Sequence, residues 1–119
     1  MAHVLIVEDE AELAGTLAQV LRSAGHEVRT APGGSQALLL SRHFAPDLLI
    51  SDWSLGSPPD GIELIDQLRA HHPNLRAILM SGYPSASLRA WSDSNPESGL
   101  LEKPFSLSDF RTLVTRVLG

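Results

Sequence analysis

Short, continuous apolar runs alternate with helix-period segments along the whole chain, and this alternation constrains the fold more than any other feature. The runs are Val4–Val7, Leu48–Ile50, Ala77–Met80 and Leu100–Leu101, with a more polar stretch at His26–Thr30. A run that stays apolar without alternating suits a strand covered on both faces, whereas the more polar stretch suits an edge strand. Between the runs, Leu13, Leu17, Val20, Leu21 and Ala24 share one helix face, and Gly25 follows as a stop. A second helix is predicted from about Ser35 to Phe44, closed by Pro46. A third opens at Asp60, with Glu63 at capping-box spacing, and runs through Ile65 and Leu68 to Pro73. The last starts at Ser106 and presents Phe110, Leu113, Val114, Val117 and Leu118 on one face. The segment Pro84–Ser94 holds four serines and a proline, with Leu88 and Trp91 as its large apolar residues, and predicts only a short, marginal helix.

Five strands alternating with five helices predict an α/β fold: a parallel sheet, doubly wound by right-handed crossovers, with helices on both faces. The 119 residues show no repeat, linker or low-complexity tract, so residues 1–119 are expected to form a single domain.

Composition narrows the function classes. Hydrophobic residues make up 43% and charged residues 19%, which argues against intrinsic disorder. The absence of cysteine excludes disulfides, thiolate metal sites and a cysteine nucleophile. Fourteen acidic against nine basic residues leave a net charge of −5, and the basic ones are scattered; no direct nucleic-acid binding is expected. The apolar runs are far shorter than the ~20 residues a membrane-spanning helix needs. The start, MAHVLIVEDE, has no basic region before its apolar run, so a cytoplasmic protein without membrane insertion is expected.

Open α/β sheets bind ligands beyond the carboxyl ends of their strands. Glu8, Asp9 and Glu10 follow the first predicted strand, Thr30 and Ala31 the second, Asp52 the third, Ser81 the fourth and Lys103 the fifth. Each has an ordinary reading: a solvated first helical turn, a turn aspartate, a loop serine, a surface lysine. Together, on four strand ends of one sheet, they make a chemical inventory. Crowded carboxylates attract a hard cation such as Mg²⁺, which keeps its waters and bridges carboxylate to phosphate. An aspartate beside such a cation can act as a nucleophile toward phosphorus. The ammonium, the hydroxyl and backbone amides after Asp52 can then meet the charge on the transferred group.

The blocks VLIVEDE, LLISDWSLG, ILMSGY and GLLEKPF resemble, in order, the signature blocks of response-regulator receiver domains of two-component and phosphorelay systems. The resemblance spans the whole chain. It implies a (βα)5 flavodoxin-like sandwich with strand order 2-1-3-4-5 and Asp52 as phosphoacceptor. It further implies a Mg²⁺ held by Asp9, Asp52, the backbone carbonyl of Ser54 and, through water, Glu8. Ser81 would bond the phosphoryl group, Lys103 would pair with it, and Lys103-Pro104 resembles the family's cis peptide. The implied partners are a histidine kinase or phosphotransfer protein as donor and a downstream protein target. The Ser-Gly-Tyr and Leu-Glu-Lys-Pro-Phe blocks resemble receivers of hybrid histidine kinases. Such a domain is not a turnover enzyme; it catalyses only its own phosphorylation and dephosphorylation.

The chain departs from the family pattern in places. Leu100 stands three residues before the lysine, where many receivers carry a tyrosine or phenylalanine that rotates on activation. Gly56 replaces a common proline, and Ser57-Pro58-Pro59 lengthens that loop. Ser54 and Tyr83 occupy positions where receivers tune the lifetime of the aspartyl phosphate. Trp91 is either a packing anchor or part of a partner surface, and the five histidines show no ligand spacing. Three other functions compete. An aspartate-nucleophile phosphatase would need a second carboxylate where Ser54 stands. A flavodoxin-like cofactor binder would need Ser, Thr and Gly donors where Glu8-Asp9-Glu10 stand. A phosphorylation-independent interaction domain on the same scaffold is kept open by Leu100.

Overall fold

The computed structural model describes residues 1–119. In chain order its elements are β1 (His3–Val7), α1 (Ala11–Ser23), β2 (Glu27–Ala31), α2 (Gly34–Leu40), β3 (Leu48–Asp52), α3 (Gly61–Arg69), β4 (Arg76–Ser81), α4 (Ala86–Ser94), β5 (Gly99–Glu102) and α5 (Leu107–Leu118). The strands form one parallel sheet in the order β2-β1-β3-β4-β5, as expected, with the more polar β2 at an edge.

Successive side chains of a strand point to opposite faces, so the apolar runs divide between two cores. Val4, Ile6, Leu48, Ile50, Ile78 and Met80 pack with α1 and α5 residues such as Leu17, Phe110 and Val114. Leu5, Val7, Leu49, Ala77 and Leu79 pack on the other face with Leu64, Ile65 and Leu68 of α3 and Leu88 of α4.

Helix ends follow their local chemistry. Gly25 takes a φ of +92°, which favours glycine, just after α1. The α3 capping box forms in both directions: Asp60 accepts from the Glu63 N–H at 2.8 Å, and Glu63 accepts from the Asp60 N–H at 2.9 Å. Ser85 and Ser106 cap α4 and α5, accepting from the N–H of Leu88 at 3.1 Å and of Asp109 at 3.0 Å.

Three boundaries differ most from expectation, the first being helix α3, which ends at Arg69 and not at Pro73 because the His71 and His72 N–H groups both turn back onto the Leu68 carbonyl. Helix α2 ends at Leu40 rather than near Phe44. The Ser41 hydroxyl donates to the Leu38 carbonyl at 2.7 Å, and the Arg42 and His43 N–H groups bond back three residues, so the chain tightens into a turn. That turn buries Phe44, whose ring stacks on His3 at 5.0 Å. Strand β2 starts at Glu27, not His26, because the His26 N–H closes the turn after α1 on the Leu21 carbonyl. The Lys103-Pro104 peptide is cis, as the resemblance implied, and so is Pro58-Pro59.

Candidate functional site

The carboxyl ends of β1, β3, β4 and β5 bring the chemical residues to one edge. Glu8 extends the ladder beyond β1, its N–H bonded to the Ala31 carbonyl at 3.0 Å, which carries its side chain inward until the residue is only 3% exposed. Asp52, the last residue of β3, is partly buried, and Asp9 is exposed. Oxygens of Glu8, Asp9 and Asp52 lie within 4.8 Å of one another. Lys103 reaches in from beyond β5, with Nζ 2.6 Å from Glu8 Oε1 and 3.5 Å from Asp52 Oδ2. Its backbone N–H bonds the Ser81 carbonyl at 2.8 Å, tying the lysine's position to the end of β4. Ser81 is buried, and its hydroxyl accepts the Tyr83 N–H at 3.1 Å.

Burial and crowding set the electrostatics. Burial pushes the Glu8 carboxyl above its ordinary value; the Lys103 hydrogen bond opposes this, and neighbouring Asp9 adds to it. Asp52 is likewise raised by burial, an effect that Lys103 reduces without cancelling. Burial alone would lower Lys103, but its bond to Glu8 and the charge of Asp52 outweigh it, so the ammonium is held above its ordinary value. Three carboxylates thus share one ammonium, and the excess is negative.

This donor set fits a hard divalent cation. All its ligand atoms are oxygens, the carboxylates are short of positive charge, and the Ser54 carbonyl accepts no hydrogen bond from the protein. Backbone donors after Asp52 begin one residue later than expected. The Trp53 N–H is already taken by the Met80 carbonyl at 2.9 Å, and the Trp53 carbonyl accepts the Gly61 N–H at 2.9 Å. Gly61 does not stand out in the sequence, yet it shapes the site: a Cβ there would lie 2.9 Å from the Asp52 carbonyl oxygen and 2.8 Å from Leu79 Cδ2. Its one signal is a glycine at the first position after the Asp60 cap.

The remaining residues fall into two groups. Leu100 on β5, Trp91 on α4 and Trp53 all pack, partly buried, against the core on the α2–α4 face. The Trp53 indole Nε1 is buried there without a hydrogen-bond partner. Tyr83, by contrast, is 93% exposed beyond Ser81. Two histidines have local structural partners: His26 Nδ1 accepts the Ala2 N–H at 3.0 Å, and His3 lies 3.1 Å from Glu27.

Comparison with known proteins gives a consistent result. Residues 4–115 match the family model described as the response regulator receiver domain. The chain is 32% identical over 120 residues to the nitrogen assimilation regulatory protein NtrX of Azorhizobium caulinodans, covering 99% of this chain and 26% of that protein. It is 33% identical over 119 residues to the sensor kinase CckA of Brucella abortus, covering 98% of this chain and 12% of that protein. It therefore spans only a small part of the length of these relatives. Among solved structures, the chemotaxis protein CheY4 of Vibrio cholerae superposes with a TM-score of 0.86 at 26% identity, covering 98% of both chains.

Proposed function

The chain belongs to the response regulator receiver domain family, and from that premise we propose that it accepts a phosphoryl group from a phosphohistidine donor onto Asp52 and signals through the resulting change of shape. The observation that carries the reading is the placement of Lys103 between Glu8 at 2.6 Å and Asp52 at 3.5 Å, with Asp9 completing the carboxylate cluster.

In the transfer, an Asp52 carboxylate oxygen attacks phosphorus. A P–O bond forms, the P–N bond to the donor imidazole breaks, and the imidazole leaves with the bonding pair. Asp9, Asp52 and the Ser54 carbonyl would hold Mg²⁺, with Glu8 behind them; when bound, it supplies positive charge for the phosphoryl oxygens. Lys103 supplies a second positive charge, and Ser81 a hydroxyl donor once its side chain turns toward the new group. That turn gives up the bond from the Tyr83 N–H, so phosphorylation is felt in the loop leading to α4. Tyr83, on that loop, and Ser54, two residues after Asp52, affect how long the aspartyl phosphate survives. Leu100 and Trp91 transmit the change through the core they share. The donor is a histidine kinase or phosphotransfer protein, the receiver of signal is a downstream protein, and the setting is cytoplasmic.

Intact mass after incubation with Mg²⁺ and acetyl phosphate tests the reading. Wild type should gain one phosphoryl mass, lost on hydroxylamine treatment, while Asp52→Asn and a chelator-treated sample gain none. Uptake at an unchanged rate by the asparagine variant would refute Asp52 as the acceptor. A second reading, an interaction domain that works without phosphorylation, is favoured by Leu100, which puts an aliphatic side chain where many receivers place a rotating aromatic. It would gain if Trp53 and Trp91 fluorescence ignored both Mg²⁺ and beryllofluoride.

A further inference from the structure

At the opposite end of the sheet, where the parallel strands begin, a cleft of about 460 Å³ opens between the end of α3, the start of β4 and the segment joining α4 to β5. Its lining is polar apart from Leu75 and the Pro73 ring: Arg69, Asn74, Arg76, Asn95, Glu97 and Ser98. Size places it among small-ligand sites, which run from roughly 300 to 1,000 Å³. Its chemistry differs from that of most such sites, being mostly polar, with two arginines in its lining.

The two arginines are held by uncharged partners. Arg69 donates from Nε to the Leu75 carbonyl at 3.1 Å and from Nη1 to Asn95 Oδ1 at 3.3 Å. Arg76 donates from Nη1 to the Val117 carbonyl at 2.9 Å. Neither is ion-paired, in contrast to Arg29, which lies 3.6 Å from Glu27. A third arginine, Arg116, is also without an ion pair and donates to the carbonyl of Ser98 at 3.2 Å, adding positive field behind the cleft wall. A guanidinium has five N–H donors, so most of them remain unused here while the side chains are already tethered. Three unpaired arginines gathered on a chain of net charge −5, around a cleft with a single carboxylate in its lining, are a preorganised receptor for negative charge.

We propose that this cleft is a second binding site, taking a small oxyanion ligand of the phosphate or carboxylate class through Arg69 and Arg76. The site communicates with α4. Asn95, the residue that closes α4, donates from Nδ2 to the Trp91 carbonyl at 2.8 Å while accepting from Arg69. An anion that engages Arg69 therefore takes hold of the group tying the far end of α4 to α3.

The test is a titration of ¹⁵N-labelled protein with pyrophosphate, in chelator and without Mg²⁺, so that the carboxylate cluster repels the probe. Saturable amide shifts are expected at Leu75, Arg76, Asn95 and Ser98, with a smaller one at Trp91. Arg76→Gln should weaken binding about tenfold, as expected for one lost charge-assisted hydrogen bond. Glu97→Gln keeps both arginines and removes the repelling carboxylate, so it should tighten binding roughly two- to fivefold. Asp52→Asn should bind as wild type does. Arg69→Gln also loosens α4; if it fails to fold, the Arg76 and Glu97 variants decide between the outcomes. Absence of saturable shifts, or equal affinity in the Arg76 and Glu97 variants, would overturn the proposal. So would binding of a triglutamate peptide but not pyrophosphate, which would assign the cleft to an acidic segment of a partner protein.

Discussion

Helices α4 and α5 begin in the same way and are held in different ways. Both follow a serine whose hydroxyl accepts the N–H three residues on, and both flank β5. The twelve-residue α5 buries Phe110, Val114 and Val117 at helical spacing, whereas the nine-residue α4 buries only Leu88. Its far end is fixed by the polar Asn95 side chain and a partly buried Trp91, with no fully buried stripe. Capping decides where a helix starts; the stripe it buries decides how firmly it stays. The helix joined to the Ser81 loop is the one built from the less stable parts, which is where moving elements are drawn from.

The contrast makes graded predictions. Phe110→Ala should lower global stability by about 3–5 kcal/mol in urea denaturation, since it empties the core beneath α5. Leu88→Ala removes a similarly buried side chain from a smaller contact, and about 2–3 kcal/mol is expected, appearing first as faster amide exchange in α4. Equal losses with unchanged α4 exchange would break the comparison. Asn95→Ala should cost about 1 kcal/mol, read as α4 exchange with the urea midpoint nearly unmoved. Ser106→Ala and Ser85→Ala should each cost about 1 kcal/mol, the first moving the global midpoint and the second mainly α4 exchange.

The smallest effect titrates. Burial holds the folded-state pKa of Asp52 above its ordinary 3.8, so the unfolded chain ionises first and ionisation works against folding. Asp52→Asn should therefore stabilise the protein above the folded pKa of Asp52. The gain should fade as pH falls through that pKa and vanish below 3.8, as thermal melts across a pH series would show. It should appear equally in α4 and α5.

Much of this was legible in the chain. Continuous apolar runs marked the buried strands, their more polar counterpart marked one edge, and Glu8, Asp9, Asp52 and Lys103, read from the strand ends, are brought together, whereas Thr30 and Ala31 lie within β2. Asp60 and Glu63 announced α3 through a bond pair spanning three residues. What escaped depends on contacts distant in sequence. Helix α2 stops early because Phe44 turns in to meet His3, a pairing no local pattern displays. The Trp53 N–H is lost to the site because β4 takes it. The arginine cleft draws on α3, β4, the α4–β5 segment and the end of α5, and its members look like scattered surface charges until the fold assembles them.

The division of the core by the sheet has a consequence for what outside observers of this molecule can sense. Residues of α1 and α5 pack into one layer; Leu88, Trp91, Leu100 and Trp53 pack into the other. The strands between them form a partition bonded along its whole length, and close-packed layers rearrange by discrete repacking rather than by smooth deformation. A repacking of α4 would therefore fall first on its own side, with the bond from Arg116 of α5 to the Ser98 carbonyl as its link across. A protein gripping α1 would meet nearly the same relief before and after such a repacking, as a handle. One gripping α4 meets a dial.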